Sequence, residues 1–188
     1  MAAASAVTVV AGLPIPSASR VFLAILAVHV AVALGCVIAG AAAMLSRKGR
    51  GRHSRLGTIY FWGLAFVFAS AGGLSAMRWA EDSLLFGLGT LAFAAAWLGR
   101  TAMRRRWSGW PRLHIAGMGS SYVLLLTAFY VDNGKNLPLW RDLPPITYWL
   151  TPTVIGLPLM IFAMLRHRVV RANGEQQVGR TPPARGSG

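Results

Sequence analysis

Five long apolar stretches alternate with short arginine-rich segments along the chain. The stretches span about residues 21–45, 57–77, 83–103, 114–131 and 148–165. As a helix that rises about 1.5 Å per residue, each is long enough to cross a hydrocarbon core of about 30 Å. The pattern predicts an all-α fold, a polytopic transmembrane helix bundle of about five spans within residues 20–171.

The two ends of the chain differ from the spans. The apolar run near the N-terminus stops at Pro14 and Pro16, too early for a span, so we interpret residues 1–19 as an arm on the outer side of the membrane. Residues 172–188 are rich in Gly, Gln, Pro and Arg. Such a segment cannot bury apolar surface, which predicts a disordered cytoplasmic tail.

Basic side chains collect on one side of the predicted bundle. The segments that follow the first and fifth spans, together with the region between the third and fourth, hold 15 of the 19 lysine and arginine residues. The opposite side keeps Arg20, Arg78, Lys135 and Arg141. Basic residues accumulate in cytoplasmic loops. The pattern therefore predicts an N-terminus outside and a C-terminus in the cytoplasm, and we expect a bacterial cytoplasmic (inner) membrane.

The formal net charge of +14 would suggest a nucleic-acid partner in a soluble chain. Here the charge falls in short segments at one membrane face, so we expect no nucleic acid and interpret anionic lipid headgroups as its partner. A stripe of small residues in the first span, Ala27, Ala31 and Gly35, suits close helix contact. That contact can lie within the chain, in a homo-oligomer or with a protein partner.

Ionisable residues inside a membrane are costly and are candidates for function. His29 lies about two turns into the first span. It is a candidate proton relay or ligand, and the alternative is a neutral imidazole bonded to a neighbouring helix. Its depth differs by about 15 Å from that of His114, so these two histidines are not expected to share an iron.

A second histidine group lies near the cytoplasmic boundary, with His53 before the second span and His114 at the start of the fourth. Two histidines at one depth on different helices can bind a b-type haem axially. They can also contact a quinone, or merely anchor the helix ends. The candidate supporting residues are Arg52, Arg55 and Arg112 for haem propionates, with Tyr60 and Tyr122 on the same helices.

Other chemistry has little support. The sequence holds no Gly-x-Ser-x-Gly elbow, no His-Glu-x-x-His motif and no phosphate-binding glycine-rich loop with lysine. Cys36 is the only cysteine, which leaves no cysteine metal cluster. We therefore predict no metal-ion site and expect enzymatic activity only by the redox route. The connection 132–147 carries apolar and aromatic residues that suit either an interfacial anchor or a lid.

Three motifs together resemble a known family. They are the histidine of the first span, the segment His53-Ser-Arg-Leu-Gly-Thr-Ile-Tyr60, and His114-x-x-x-Met-Gly-Ser-Ser-Tyr122. This set resembles the bacterial DUF2306-like multipass membrane proteins over most of residues 20–170. The resemblance implies a helical membrane architecture and histidines near the starts of comparable spans, in outline similar to small cytochrome b modules. It implies no activity.

Three functional hypotheses remain open at this point. The first is a structural or accessory membrane protein whose activity cannot be read from the sequence. The second is a redox module that binds b haem or quinone through His53 and His114. The third is a small proton-coupled carrier that uses His29.

Overall fold

The structure, a computed structural model, describes the backbone of residues 7–10, 13–16, 19–47, 51–138 and 140–179, and the side chains of 19–47, 51–138 and 140–165. Five long helices follow one another from Arg20 onward. They are α1 (Arg20–Leu45), α2 (Arg52–Met77), α3 (Trp79–Arg105), α4 (Trp110–Asn133) and α5 (Ile146–Gly179), with a short 3-10 helix, Gly134–Asn136, after α4. All five are long and apolar enough to cross a membrane. The prediction of a helical bundle with five helices long and apolar enough to span a membrane is confirmed for residues 20 onward.

Two short strands precede the helices. β1 (Val7–Val10) and β2 (Leu13–Pro16) pair antiparallel, with Val7 opposite Pro16 and Val10 opposite Leu13. They lie within the predicted outer-side arm of residues 1–19, of which residues 1–6, 11–12 and 17–18 are outside the described residues.

Local signals explain where the helices begin and end. Ser19 caps α1, since its hydroxyl oxygen accepts a hydrogen bond from the backbone N–H of Phe22 at 3.1 Å. Gly109 has φ 71°, a left-handed conformation that suits glycine, and Pro111 follows in the first turn of α4. Arg78 alone connects α2 to α3. Glu81 and Asp82 then occupy the first turn of α3, where the helix dipole favours acidic residues.

The predicted spans all lie inside the observed helices, and every helix extends beyond its predicted span, most at the start of α2 and at the end of α5. α2 begins at Arg52 instead of Gly57, because a helix can include polar residues that precede its apolar stretch. α5 continues to Gly179 and includes residues 172–179, for which the sequence predicted disorder. Residues 180–188 lie outside the described residues.

The first four helices form a ring around one core, and α5 packs on the outside of α4. Each helix contacts the next in the chain, while α1 closes the ring by a slight contact with α4. α2 and α4 therefore lie diagonally across the bundle. They also run in the same direction, since a single span separates them. The core joins residues of all four helices: Cys36, Ala39, Tyr60, Phe61, Leu64, Val67, Ala96 and Leu125.

Paired glycines bring α3 and α4 into close backbone contact. A Cβ atom built on Gly117 would lie 2.6 Å from the carbonyl oxygen of Ala95 and 2.7 Å from the backbone of Gly99. These neighbours are backbone atoms, which cannot rotate away as a side chain can. The α3–α4 contact therefore depends on the absence of a side chain at Gly117.

Substitution of Gly117 by alanine is expected to lower the free energy of unfolding by about 1–3 kcal/mol, the usual cost of overpacking. The measurement is denaturant-induced unfolding in detergent micelles, followed by circular dichroism. Gly73→Ala is the matched control, because a Cβ there would meet nothing within 4 Å. Equal stability of the two variants would contradict the tight α3–α4 contact.

Candidate functional site

His53 lies in the first turn of α2 and reaches back to the end of α1. Its Nδ1 lies 2.8 Å from the carbonyl oxygen of Ala43. Ala43 lies in the last turn of α1, and its carbonyl oxygen also accepts a hydrogen bond from the backbone N–H of Ser46 at 3.3 Å. A carbonyl oxygen has two lone pairs, so it can accept both bonds. Since a carbonyl oxygen only accepts, Nδ1 carries the proton. In the neutral ring the lone pair then lies on Nε2.

His114 lies in the second turn of α4 and makes an equivalent contact. Its Nδ1 donates to the carbonyl oxygen of Gly99 on α3 at 3.1 Å. Both histidines are thus oriented in the same way, each by a backbone carbonyl of the neighbouring helix. Such a bond on one ring nitrogen is what fixes the tautomer and orientation of a metal-ligating histidine.

The two imidazoles lie next to each other at one end of the bundle. Their ring centroids are 6.4 Å apart, and the ring planes are inclined by 82°. The fold thus brings together the two histidines that the sequence placed at one depth. Because α2 and α4 lie diagonally across the bundle, the two neighbouring imidazoles lie towards its interior.

A second link between the same two helices lies below the histidine pair. Tyr60 Oη and Ser121 Oγ are 2.9 Å apart, and both residues are buried. Each lies seven residues after the histidine of its own helix, which is about 10 Å along the helix axis. The Tyr60–Ser121 bond therefore forms a floor beneath the histidines at equal depth on both helices.

The level between the histidines and this floor contains Gly57. It lies one turn after His53 on the same face of α2. A Cβ atom there would meet nothing within 4 Å, in contrast to Gly40 and Gly117, where a Cβ would lie within 2.7 Å of a neighbour. The α2 backbone at Gly57, one turn after His53, therefore has no close side-chain neighbour.

Tyr122 and Tyr60 complete the floor. Their ring centroids are 6.1 Å apart, and Tyr122 Oη donates to the carbonyl oxygen of Val37 on α1 at 3.1 Å. Tyr122 also fills the place that a side chain at Gly40 would take. Both tyrosines that the sequence named as supporting residues are therefore structural neighbours of the site, two turns from the histidines.

His29 is remote from this pair. Its Nδ1 lies 2.8 Å from Ser70 Oγ on α2, and Ser70 is 17 residues after His53, about 25 Å along that helix. The Ser70 hydroxyl can donate to the carbonyl oxygen of Phe66 at 2.9 Å or of Val67 at 3.0 Å. With either bond made, the imidazole donates to Ser70 and joins α1 to α2 as an ordinary interhelical hydrogen bond.

The arginines near the histidines fall into two groups. Arg52, Arg55 and Arg112, which the sequence offered as propionate partners, are exposed. Arg100 is half-buried on α3: its Nη1 donates to Thr58 Oγ1 at 3.4 Å, and its guanidinium carbon lies 4.6 Å from the centroid of the Phe61 ring. The sequence analysis treated Arg100 only as one charge of a basic segment. Its position inside the predicted third span, residues 83–103, could have marked it as a candidate site residue.

The opposite end of the bundle is closed by its own contacts. Arg78 pairs with Glu81, and its guanidinium carbon lies 5.4 Å from the centroid of the Phe22 ring. In the connection 132–147, Tyr148 Oη donates to the carbonyl oxygen of Trp140 at 3.0 Å, and the Trp140 ring lies 4.7 Å from that of Tyr130. These contacts attach the connection to the ends of α4 and α5.

Within the described residues, no group of three or more His, Cys, Asp or Glu side chains could hold a metal ion. Comparisons of the chain with known protein families, with curated proteins and with solved structures gave no match. The resemblance to DUF2306-like proteins therefore stays a prediction, and the geometry of the site is what supports a function.

Proposed function

We propose that this multipass membrane protein is an electron carrier that holds a b-type haem between α2 and α4, with His53 and His114 as axial ligands. The observation that carries the proposal is the 6.4 Å between the two ring centroids. An imidazole nitrogen binds zinc at about 2.0–2.1 Å. By analogy, two imidazoles that held one iron between them would have their nitrogens about 4 Å apart and their ring centroids about 6 Å apart, which the observed 6.4 Å would suit.

The hydrogen bonds of the pair favour a metal ligand over a quinone contact. A quinone oxygen needs a donor, and Nδ1–H of both rings is already donated to a backbone carbonyl. A metal needs the lone pair, which this tautomer holds on Nε2. The same pattern of bonds orients the ligating histidines of known metal sites.

The number of ligands favours haem over a bare metal ion. A structural zinc ion takes four protein ligands, and no third candidate joins the pair among the described residues. The porphyrin supplies four equatorial nitrogens, so haem iron needs only two axial side chains. A Cβ atom on Gly57 would meet nothing within 4 Å. The face of α2 beside His53 is therefore free of close side-chain contacts at this level, and we propose that one edge of the porphyrin lies along it.

When bound, the haem supplies reversible one-electron exchange. The residues of this chain hold and shield it. Ala43 and Gly99 fix the two imidazoles by their carbonyl oxygens, and the apolar core below the Tyr60–Ser121 bond excludes water from that side. The carrier hypothesis has weaker support, since His29 is engaged in an interhelical bond with Ser70. A structural or accessory role is the outcome that a haem-free protein would favour.

The test is a reduced-minus-oxidised visible spectrum of detergent-purified protein from haem-supplemented cells, with haem content measured against protein. One b-type haem per chain is the expected result. Folded protein that is colourless after expression with haem, and after incubation with added hemin, would refute the proposal.

We further propose that the histidine end of the bundle faces the cytoplasm of a bacterial inner membrane. The connections at this end hold 10 of the 15 basic residues on that side, and basic residues mark cytoplasmic loops. A green fluorescent protein and an alkaline phosphatase fused in turn to the C-terminus would report this. Fluorescence without phosphatase activity is expected, and the reverse pattern would invert the topology.

A further inference from the structure

Arg100 is a cation held partly inside the bundle. Thr58 and the face of the Phe61 ring hold its guanidinium from α2. A hydroxyl and an aromatic ring stabilise a cation but do not neutralise it. A charge taken out of water is costly unless an opposite charge compensates it.

No such compensation exists within the described residues. The ion pairs found there, Arg78 with Glu81 and Arg141 with Asp142, belong to the opposite end of the bundle. The charge that acts on Arg100 from nearby is Arg104, which has the same sign. The site around Arg100 therefore has a positive charge in excess.

Arg100 also lies at the depth of the histidine pair. It follows Gly99, whose carbonyl oxygen accepts the Nδ1–H of His114. Thr58, its partner on α2, follows Gly57, where a Cβ atom would meet nothing within 4 Å. An anionic group at the edge of a planar ligand between α2 and α4 would thus lie on the level of the guanidinium.

We infer that Arg100 binds an anionic oxygen group, and that in the haem complex this group is a propionate carboxylate. The inference rests on the proposed function for the identity of the anion. A guanidinium presents paired N–H donors that match a carboxylate or a phosphate. A lipid phosphate of the inner leaflet shares this chemistry and is the second source that the experiment distinguishes. Arg100 thereby takes the role first offered to the exposed Arg52, Arg55 and Arg112.

The experiment compares Arg100→Gln with Arg100→Lys and with Arg104→Gln. The last variant is the matched control, because it removes one charge from the exposed side chain one turn further along α3. Redox titration of the haem-loaded proteins is the readout. Loss of the Arg100 charge leaves the propionate uncompensated and favours ferric iron. We expect the ratio of ferric to ferrous haem at a fixed potential to rise about tenfold in Arg100→Gln, equivalent to about 59 mV for one electron.

In Arg100→Lys, which keeps the positive charge, the ratio of ferric to ferrous haem should return most of the way to the wild-type value. In Arg104→Gln the ratio should stay within about twofold of wild type. A second arm measures the phosphatidylglycerol that each protein retains, by native mass spectrometry. An unshifted potential with phosphatidylglycerol lost only in Arg100→Gln identifies the anion as a lipid phosphate. If Arg100→Gln matches Arg104→Gln in both arms, the inference is overturned. If the wild-type protein binds no haem, the proposed function fails, and the lipid arm alone decides on the anion site.

Discussion

Replacement of His53 by alanine is expected to abolish stoichiometric haem binding while the protein still folds. Axial ligation by two imidazoles requires both rings, and the lost side chain leaves one face of the iron without its ligand. The fold should tolerate the change, since the loss of the hydrogen bond to Ala43 costs about 0.5–1.5 kcal/mol. Absorbance of the purified variant in the Soret region, relative to its protein content, is the measurement. The same result is expected for His114→Ala.

The control for this experiment is His29→Ala, which removes another partly buried, hydrogen-bonded imidazole from the same bundle. Haem content in that variant should equal that of wild type. Free imidazole added to His53→Ala should restore part of the absorbance, because it can occupy the ligand position that the substitution vacates. Full haem content in both His53→Ala and His114→Ala would show that the two rings only anchor helix ends.

Replacement of Gly57 by leucine is expected to reduce haem binding at least tenfold without loss of stability. The Cβ of a side chain at this position meets nothing within 4 Å. The Cβ of the new side chain would therefore cause no clash, and its branched end would take up room on the face of α2 next to His53. Removal of a glycine from a helix interior also favours folding by about 0.5–1 kcal/mol. Hemin titration at fixed protein concentration gives the affinity, and thermal unfolding in detergent gives the stability.

Gly73→Leu provides the comparison, because it adds the same side chain to the same helix at an exposed position where a Cβ again meets nothing. Its affinity for hemin should be unchanged. A Gly57→Leu protein that binds hemin as tightly as Gly73→Leu would show that the ligand does not use this space. Retention of haem ligation by the histidines would then require a different placement of the porphyrin.

Much of the architecture could be predicted because a bilayer imposes simple rules on a chain. Only a helix satisfies its own backbone in lipid, and its length is set by the thickness of the hydrocarbon. The five predicted spans therefore lie inside the five observed helices. The helix ends were predicted less accurately, as at Arg52, because the hydrophobic pattern marks only the residues that cross the hydrocarbon layer. It gives no information on helical residues beyond that layer.

The sequence also indicated which histidines could meet. His53 and His114 open spans that run in the same direction, so equal depth followed from the alternation of the spans. Equal depth does not determine the distance between the two histidines in the plane of the membrane, because neighbouring and distant helices can both carry residues at the same depth. The packing of all four helices places the two rings 6.4 Å apart, with His53 held by α1 and His114 held by α3.

The sequence by itself determined the helical class, the number of spans and the charge difference between the two ends, all of which follow from local composition. Only the tertiary structure decided that α2 and α4 lie diagonally, that Gly57 has no close side-chain neighbour, and that Arg100 is half-buried without a carboxylate partner among the described residues. These facts depend on which side chains of distant segments share a contact. These contacts are determined by close packing between helices, and they cannot be predicted from the hydrophobic periodicity of a single helix.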